Sequence, residues 1–558
     1  MSAALETVDV PVAFGAATAA ADDGGLRVQL ATDAGRPDAS VATRLHRPAV
    51  VRDALLALGD VLASDLRFRG RDRADYLAYL LAKGKGVSKQ VWEAQKEYLR
   101  LRYGEAARSE EPLDPVLTVG DDGIRIELLS RDESAYAQLA VRAAALVEPA
   151  LTAGTTFLDL SPAALRAIGR MRSYRPTTLA LGSAPAAAVG SRRVPLRWLR
   201  AFGQITAAAR LPTVRFALAP IDLYNVLFSL RMRKARQAPR ALRYELVPGQ
   251  APRVVLEPWD LVLTSNGGPY LGERPLVVRT WGRNRLLVLA RLLPHARAVH
   301  VHLQGPGLPA FYVVDLGDAS FTLALSGWTD AGWAGVATFD QLAGGDRDLV
   351  ELRAGVDVAR GETFARPLLA TPPPADALRF RDAREAAAHR HLADGQAKLV
   401  RVHDLGAEGE RIEGEVDDGR AHRRFHAAFT IDREGRTAGA ACTCPAFRRA
   451  GIKEGPCEHM IALRVLHVRE LARREAARGT EEGQRLIRAE TRTLFRRTAA
   501  GSETYRLSLD DRAVTARWGA AEPLRMLRQL HPTADDARAA YFARLAELAE
   551  KGYIDASA

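Results

Sequence analysis

The sequence predicts a multidomain α+β chain, and three observations carry that expectation. The chain runs to 558 residues, beyond the size at which a single hydrophobic core keeps growing. Helical periods fill about 47–107, whereas strand signals crowd 240–345. All three cysteines, Cys442, Cys444 and Cys457, lie in one window closed by His459, CTCPAFRRAGIKEGPCEHM, which reads C-x-C-x12-C-x-H. The expected order is a mainly helical N-terminal region (1–110) and a central α/β to β-rich region (113–370). A small zinc-stabilised ββα module (376–478) and a C-terminal sheet-plus-helix module (488–558) follow.

Composition narrows the class. Hydrophobic residues make up 47% and charged residues 26%, the balance of a folded chain with apolar material for several cores. Lys and Arg outnumber Asp and Glu by 79 to 67, a net charge of +12. That excess suits nucleic acid, an anionic membrane or acidic protein partners, though an Arg- and Ala-rich genome composition gives the same excess. The N-terminus, MSAALETVDVPVAFGAATAAADDGG, lacks the basic start of a secretory signal. No run of about 18 uncharged apolar residues predicts a membrane helix. Three cysteines at metal-ligand spacing predict a reducing compartment, the cytoplasm, and no disulfide framework.

Along the chain, VDVPVAF and LRVQLAT read as short strands. RPAVVRDALLALGDVLASDL, RADYLAYLLA and SKQVWEAQKEYLRLRY carry helical periods, with Pro48 suited to a first turn and Ser88 to an N-cap. Lys83-Gly84-Lys85-Gly86 between them reads as a solvated turn, with a phosphate-contacting loop as the weaker alternative. PVLTVGDDGIRIELLS reads as a hairpin about Asp122-Gly123. A helix (AYAQLAVRAAALV), a strand (TTFLDL), a helix (PAALRAIGRM) and a strand (TTLALG) are expected next. Asp159 ends one of these strands, and nothing nearby completes a catalytic set.

LRYELV, RVVLEP, LVLTS, AVHVHLQG, AFYVVDL and SFTLALSGW then read as strands. Trp259, Trp281, Trp328 and Trp333 fall in this stretch; they fill a β-rich core or, as the weaker reading, line a stacking surface. His300 and His302 share one side of a strand, a packed or exposed pair rather than a metal site. Pro372-Pro373-Pro374 is the clearest linker. Beyond it come a short helix (DAREAAAHRHLA), three strand-like runs (KLVRVHDLG, RIEGEV, RRFHAAFTIDREG) and the cysteine window. A long Arg/Glu helix over roughly 460–498, with a break near Gly479-Thr480, leads into the last module.

The cysteine window is the part with chemistry. Residues two apart are separated by at most about 7 Å along the chain, so Cys442 and Cys444 share one turn, which Pro445 helps to fix. Cys457 and His459 stand where a helix begins, and that helix N-terminus favours thiolates. Three sulfurs and one nitrogen complete a closed tetrahedral zinc site, structural rather than hydrolytic because no position stays open. A Cys457 nucleophile with a His459 base is the competing reading; the i, i+2 spacing and the other two thiols speak against it. Coincidental clustering of buried cysteines is weaker still.

The segment 396–470 resembles a SWIM-type zinc finger, whose pattern is C-x-C, a variable spacer and C-x-H. The resemblance implies Cys442, Cys444, Cys457 and His459 as ligands of one structural Zn2+, DNA or protein partners, and no catalysis. Arg448, Arg449 and Lys453 in the spacer, with Arg464 and Arg469 on the helix, are candidate phosphate contacts. They serve equally as a solvated face diluted by Glu454, Glu458 and Glu470.

The last module resembles a WGR domain through Tyr505, the strand VTARWG ending at Trp518-Gly519, and the helix ADDARAAYFARLAELAEKGY with Gly552-Tyr553. In that family an Arg follows Trp-Gly; here the position is Ala520, and the usual Gly-rich turn is missing. A literal Trp281-Gly282-Arg283 runs into RLLVLARLL and reads as chance. The stretch from Trp259 to Trp333 resembles the body of long bacterial SWIM proteins. Those occur beside AAA+ ATPases of the MoxR type and von Willebrand factor A proteins.

The sequence carries no P-loop, H-E-x-x-H, G-x-S-x-G or Rossmann glycine fingerprint. The expected function is that of a non-enzymatic zinc protein binding nucleic acid, DNA in the first instance, through its C-terminal modules. The alternative is a protein–protein adaptor of an AAA+ ATPase/von Willebrand factor A system. An enzyme in the 113–345 region is a third reading that rests on aromatic density alone.

Overall fold

The computed structural model describes residues 7–65, 113–334 and 353–556. Short internal stretches are excepted, the longest being 184–187, 236–239, 328–331, 374–377 and 432–436. The expected helices over 69–107, Ser88 and the Lys83–Gly86 loop lie outside the described residues, as do Trp328 and most of the triproline stretch.

The centre of the molecule is an eight-stranded sheet. Its order is Val214–Leu218, Ala298–Leu303, Ala310–Asp315, Ala319–Leu325, Ala135–Arg142, Gly123–Leu129, Val116–Gly120 and Gly154–Phe157. All neighbours are antiparallel. The expected hairpin closes at Gly120 opposite Gly123. Gly123 has φ +138, and a Cβ there would lie 2.1 Å from the Val141 carbonyl oxygen, so only glycine fits this turn.

Both faces of the sheet are covered. Leu117, Ile124, Ile126 and Leu139 pack with the helix Pro48–Ala63 and with Leu223, Val226 and Leu227 of the helix Pro220–Met232. Val116, Leu129, Tyr136 and Phe311 pack on the other face with Trp198, Leu199 and Phe202 of the helix Leu196–Ala209. Trp333 is fully buried against Phe311, a core role for at least one of the central tryptophans.

This double burial overturns one expectation. AYAQLAVRAAALV is not a helix but the strand Ala135–Arg142, a short 3-10 turn at Ala143–Ala145 and the strand Leu146–Thr152. A strand covered on both faces loses its polar alternation and reads as a continuous apolar run. Pairing with strands on either side then outweighs the helical preference of alanine.

The N-terminal strands belong to the same body. Gly25–Thr32 runs parallel to Thr177–Ser183 inside a five-stranded sheet, and Thr7–Phe14 pairs with Ala188–Pro195. The described N-terminal residues, 7–65, hold four strands and one helix. A four-stranded sheet follows in the order Leu261–Thr264, Arg253–Leu256, Leu242–Leu246, Leu276–Thr280. Asp159 accepts from the Ser161 backbone N–H at 3.0 Å and from its hydroxyl at 2.9 Å, and Ser161 in turn caps the helix Pro162–Ile168, so Asp159 steadies the cap. RLLVLARLL forms the 3-10 helix Arg283–Arg291, where Arg283 is buried and donates to the Ala241 carbonyl.

The C-terminal module is a five-stranded sheet, Arg525–Leu530, Ala513–Gly519, Gly501–Asp510, Ala489–Thr498 and Ile554–Asp555, backed by the helix Ala534–Glu550. Its strand Ala489–Thr498 corrects the expectation of a helix running to about 498, since helix ends at Arg485. AETRTLFRRT pairs with Gly501–Asp510 on one side and Ile554–Asp555 on the other, long-range partners that local periodicity does not report. The module docks on the central body: Val277 N–H donates to the Ala556 carbonyl at 2.8 Å, and Arg506 reaches Glu245 at 2.6 Å. Among the described residues no helix is long and apolar enough to cross a membrane.

Candidate metal centre

The cysteine window closes a small sheet-and-helix module. Four antiparallel strands, Ala397–Asp404, Glu410–Asp418, Arg423–Ile431 and Thr437–Cys442, lie in chain order. Ile412, Phe425, Ala427, Phe429 and Ile431 turn to one face, as the two-residue strand period dictates. Met460 and Leu463 of the helix Glu458–Ala477 pack onto that face. Close approach depends on Gly414, where a Cβ would lie 2.2 Å from Leu463 Cδ1 and 2.6 Å from the Lys398 carbonyl. Gly414→Ala is therefore expected to push the helix off the sheet and cost about 1–3 kcal/mol. Thermal unfolding of the module checks this, and an unchanged midpoint would contradict it.

Each candidate ligand is placed by the end of an element. Cys442 is the last residue of its strand and pairs with Ala427. Cys444 caps the helix Pro445–Ala450, its Sγ accepting from the Phe447 N–H at 3.4 Å with Pro445 in the first turn. Cys457 directly precedes the helix Glu458–Ala477, and its carbonyl accepts from Ile461 at 3.0 Å. His459 lies in the first turn, 1% exposed, with its ring 4.6 Å from that of Phe425.

The structure brings these four together. Their ligand atoms all lie within 4.8 Å of one another, and all four residues are buried. The His459 Nδ1 is 4.0 Å from Cys442 Sγ. A tetrahedral zinc with S and N ligands holds its donor atoms about 3.5–4 Å apart, so the set fits one ion after slight contraction. The thiols do not ionise independently. The hydrogen bond from Cys457 draws the Cys442 thiol down to about 4 against the cost of burial. That same bond pushes Cys457 up, and burial pushes Cys444 up. Loading a metal ion onto this set would require the remaining thiol protons to leave.

The surroundings of His459 were not legible in sequence. Asp418 Oδ2 lies 3.8 Å and Glu458 Oε1 3.9 Å from its Nε2. His391, on the helix Ala383–Ala393, stacks on it at 5.5 Å between ring centroids. The helix bearing His391 is anchored to the central body by a buried Arg200–Glu385 pair at 2.9 Å.

The candidate phosphate contacts separate into three kinds. Arg448 and Arg449 are exposed on the short helix after Cys444, and Arg469 is exposed on the long helix. Arg464 is half-buried and contacts the His467 Nδ1 at 3.2 Å, which ties it to the fold. The Lys453 side chain lies outside the described part of the chain. Elsewhere, His302 is buried and pushed down to about 4 by burial, with Arg215 and His300 adding to it, while His300 is exposed. Among the described residues neither joins a group that could hold a metal.

Fold and site together define a multidomain α+β protein with a candidate Cys3His metal centre in a module of its own. No known family model matches the chain, and no curated protein matches it. Among solved structures it is similar to the crystal structure of Proliferating Cellular Nuclear Antigen from Entamoeba histolytica. That similarity has 8% identity and a TM-score of 0.33, over 52% of this chain and 99% of that one.

Proposed function

We propose that this chain is a non-enzymatic zinc protein that binds nucleic acid through its metal module and its C-terminal sheet. The observation that carries the reading is the buried convergence of Cys442, Cys444, Cys457 and His459. Three soft sulfur donors and an imidazole suit Zn2+ over harder cations, and four protein ligands leave no coordination position for a substrate. Such an ion holds the sheet to the helix, as the resemblance of 396–470 to SWIM-type fingers implies, and free thiols require a reducing compartment such as the cytoplasm.

Supporting a polyanion partner, Arg448 and Arg449 are exposed beside the site, Arg525 and Arg528 are exposed on the edge strand of the C-terminal sheet, and Arg517 is exposed on the strand next to it. The WGR-like features of that sheet add to this: Tyr505 and Trp518 stack at 5.8 Å, and Arg544 lies over the Tyr505 ring at 5.4 Å.

The test is fluorescence anisotropy of labelled single-stranded, duplex and nicked DNA and of RNA over a salt series. Wild type is expected to bind with an affinity that falls steeply with salt, as neutralised phosphates release counterions. Arg448→Ala/Arg449→Ala is expected to shallow the log–log slope by about 1–2, roughly 0.9 per lost phosphate contact. No binding by intact, zinc-loaded protein would refute the reading.

One observation favours a second reading, a protein-docking adaptor. The edge strand Arg525–Leu530 is exposed throughout, with Met526, Leu527 and Leu530 each at least half exposed. An open edge with apolar side chains suits another polypeptide, and Ala520 stands where WGR domains carry an arginine. Salt-insensitive absence of nucleic-acid binding, together with recovery of an AAA+ ATPase or von Willebrand factor A protein from the native host, would decide for it.

A further inference from the structure

We infer that Asp418 is the outer-sphere partner of the metal centre, holding the Nε2–H of His459 so that Nδ1 is presented to the ion; this rests on the zinc reading above. A neutral imidazole carries one proton. His459 turns Nδ1 toward Cys442 Sγ, so a metal bound at Nδ1 leaves the proton on Nε2. That Nε2 is buried and has no hydrogen-bond partner, on a residue 1% exposed. A buried donor without an acceptor is costly, and metal-bound histidines ordinarily give their second N–H to a carboxylate or carbonyl.

Three groups approach Nε2, and two are poorly suited. His391 lies with its ring nearly parallel to that of His459, 25° between planes. It therefore meets the flat of the ring and not the in-plane N–H. Its own Nδ1 is engaged with Gln396 Oε1 at 2.8 Å. Glu458, at 3.9 Å, has a side chain 33% exposed, so water competes for its carboxylate. Asp418, at 3.8 Å, is only 11% exposed. Its Oδ1 accepts from the Ala421 N–H at 3.2 Å in the turn after its strand, while Oδ2 faces His459. A carboxylate fixed by the hairpin and shielded from solvent can hold the imidazole without a large ordering cost. A shift of about 1 Å by the Asp418 carboxylate would bring the 3.8 Å separation to hydrogen-bond distance. Asp418 is thus a positioning residue that joins the second hairpin strand to the metal.

The experiment uses full-length protein loaded with zinc, with stoichiometry read by elemental analysis and affinity by chelator competition. Asp418→Ala is expected to weaken zinc binding by about 10–100-fold, to leave one zinc per chain at saturation, and to leave the thermal midpoint of the metal-free protein unchanged. Asp418→Asn, which keeps an acceptor oxygen but not the charge, is expected to recover part of the loss. Wild-type affinity in Asp418→Ala would overturn the inference. An equal fall in metal-free stability would assign Asp418 a purely structural role and overturn it too. Two zinc ions in wild type falling to one in the variant would make His391, Asp418 and Glu458 a second cation site instead. A wild type that binds no zinc, with Cys442→Ser indistinguishable from it, would remove the zinc reading itself and this inference with it.

Discussion

Cys442→Ser and Cys457→Ser are each expected to release the metal and unfold residues 397–477 while the central body stays folded. Among the described residues the apolar cluster around the site is small, with Ile412, Phe425, Ala427, Phe429, Ile431, Met460 and Leu463 besides the three cysteines. Structural zinc contributes about 10–16 kcal/mol of apparent binding free energy in small zinc modules at neutral pH, more than the net stability of an ordinary domain. Losing one thiolate removes most of that term. The two large cores of the central body share no residue with this cluster, so the loss should stay local. Limited proteolysis should cut the variants between 397 and 477 and spare the eight-stranded sheet, and bound zinc should fall below one tenth of wild type. Undiminished zinc in Cys442→Ser would refute the ligand assignment.

Arg366→Ala is expected to destabilise the central body by about 3–5 kcal/mol, the cost of stranding a buried charge. Arg366 and Glu127 form an ion pair at 2.7 Å, with side chains 1% and 0% exposed. Arg366 also donates to the Ala354 carbonyl at 2.9 Å and to Thr206 Oγ1 at 3.2 Å. On the other side Tyr136 donates to Glu127 at 2.6 Å, and burial pushes the Tyr136 hydroxyl well above its ordinary value, so it remains a donor. Among the described residues, truncating Arg366 leaves Tyr136 as the hydrogen-bond donor to the Glu127 carboxylate. Arg366→Met combined with Glu127→Gln removes both charges and should recover much of the loss. Urea unfolding reads the difference; a loss under about 1 kcal/mol in the single variant would show that water reaches Glu127.

What the sequence disclosed follows from how far each signal reaches. The convergence of the candidate ligands was legible because three thiols and a histidine in one short window need few partners outside it. Hairpin and helix starts were legible for the same reason: Gly123 and Pro48 act through their own backbone. Asp418 and His391 were not, because nothing local marks them; they meet His459 only after a hairpin and a neighbouring helix are folded against the metal helix.

By itself, then, the sequence determined a multidomain α+β chain, a cysteine–histidine constellation suited to one metal ion, and most of the strands between 240 and 325. Tertiary structure alone decided that Ala135–Arg142 is a strand, that Gly25–Thr32 joins a sheet with Thr177–Ser183, and that Arg366 finds Glu127. The physical reason is common to all three. A residue's own propensity is worth tenths of a kcal/mol, whereas pairing on two edges and burial on two faces are worth several, and those partners lie tens to hundreds of residues away.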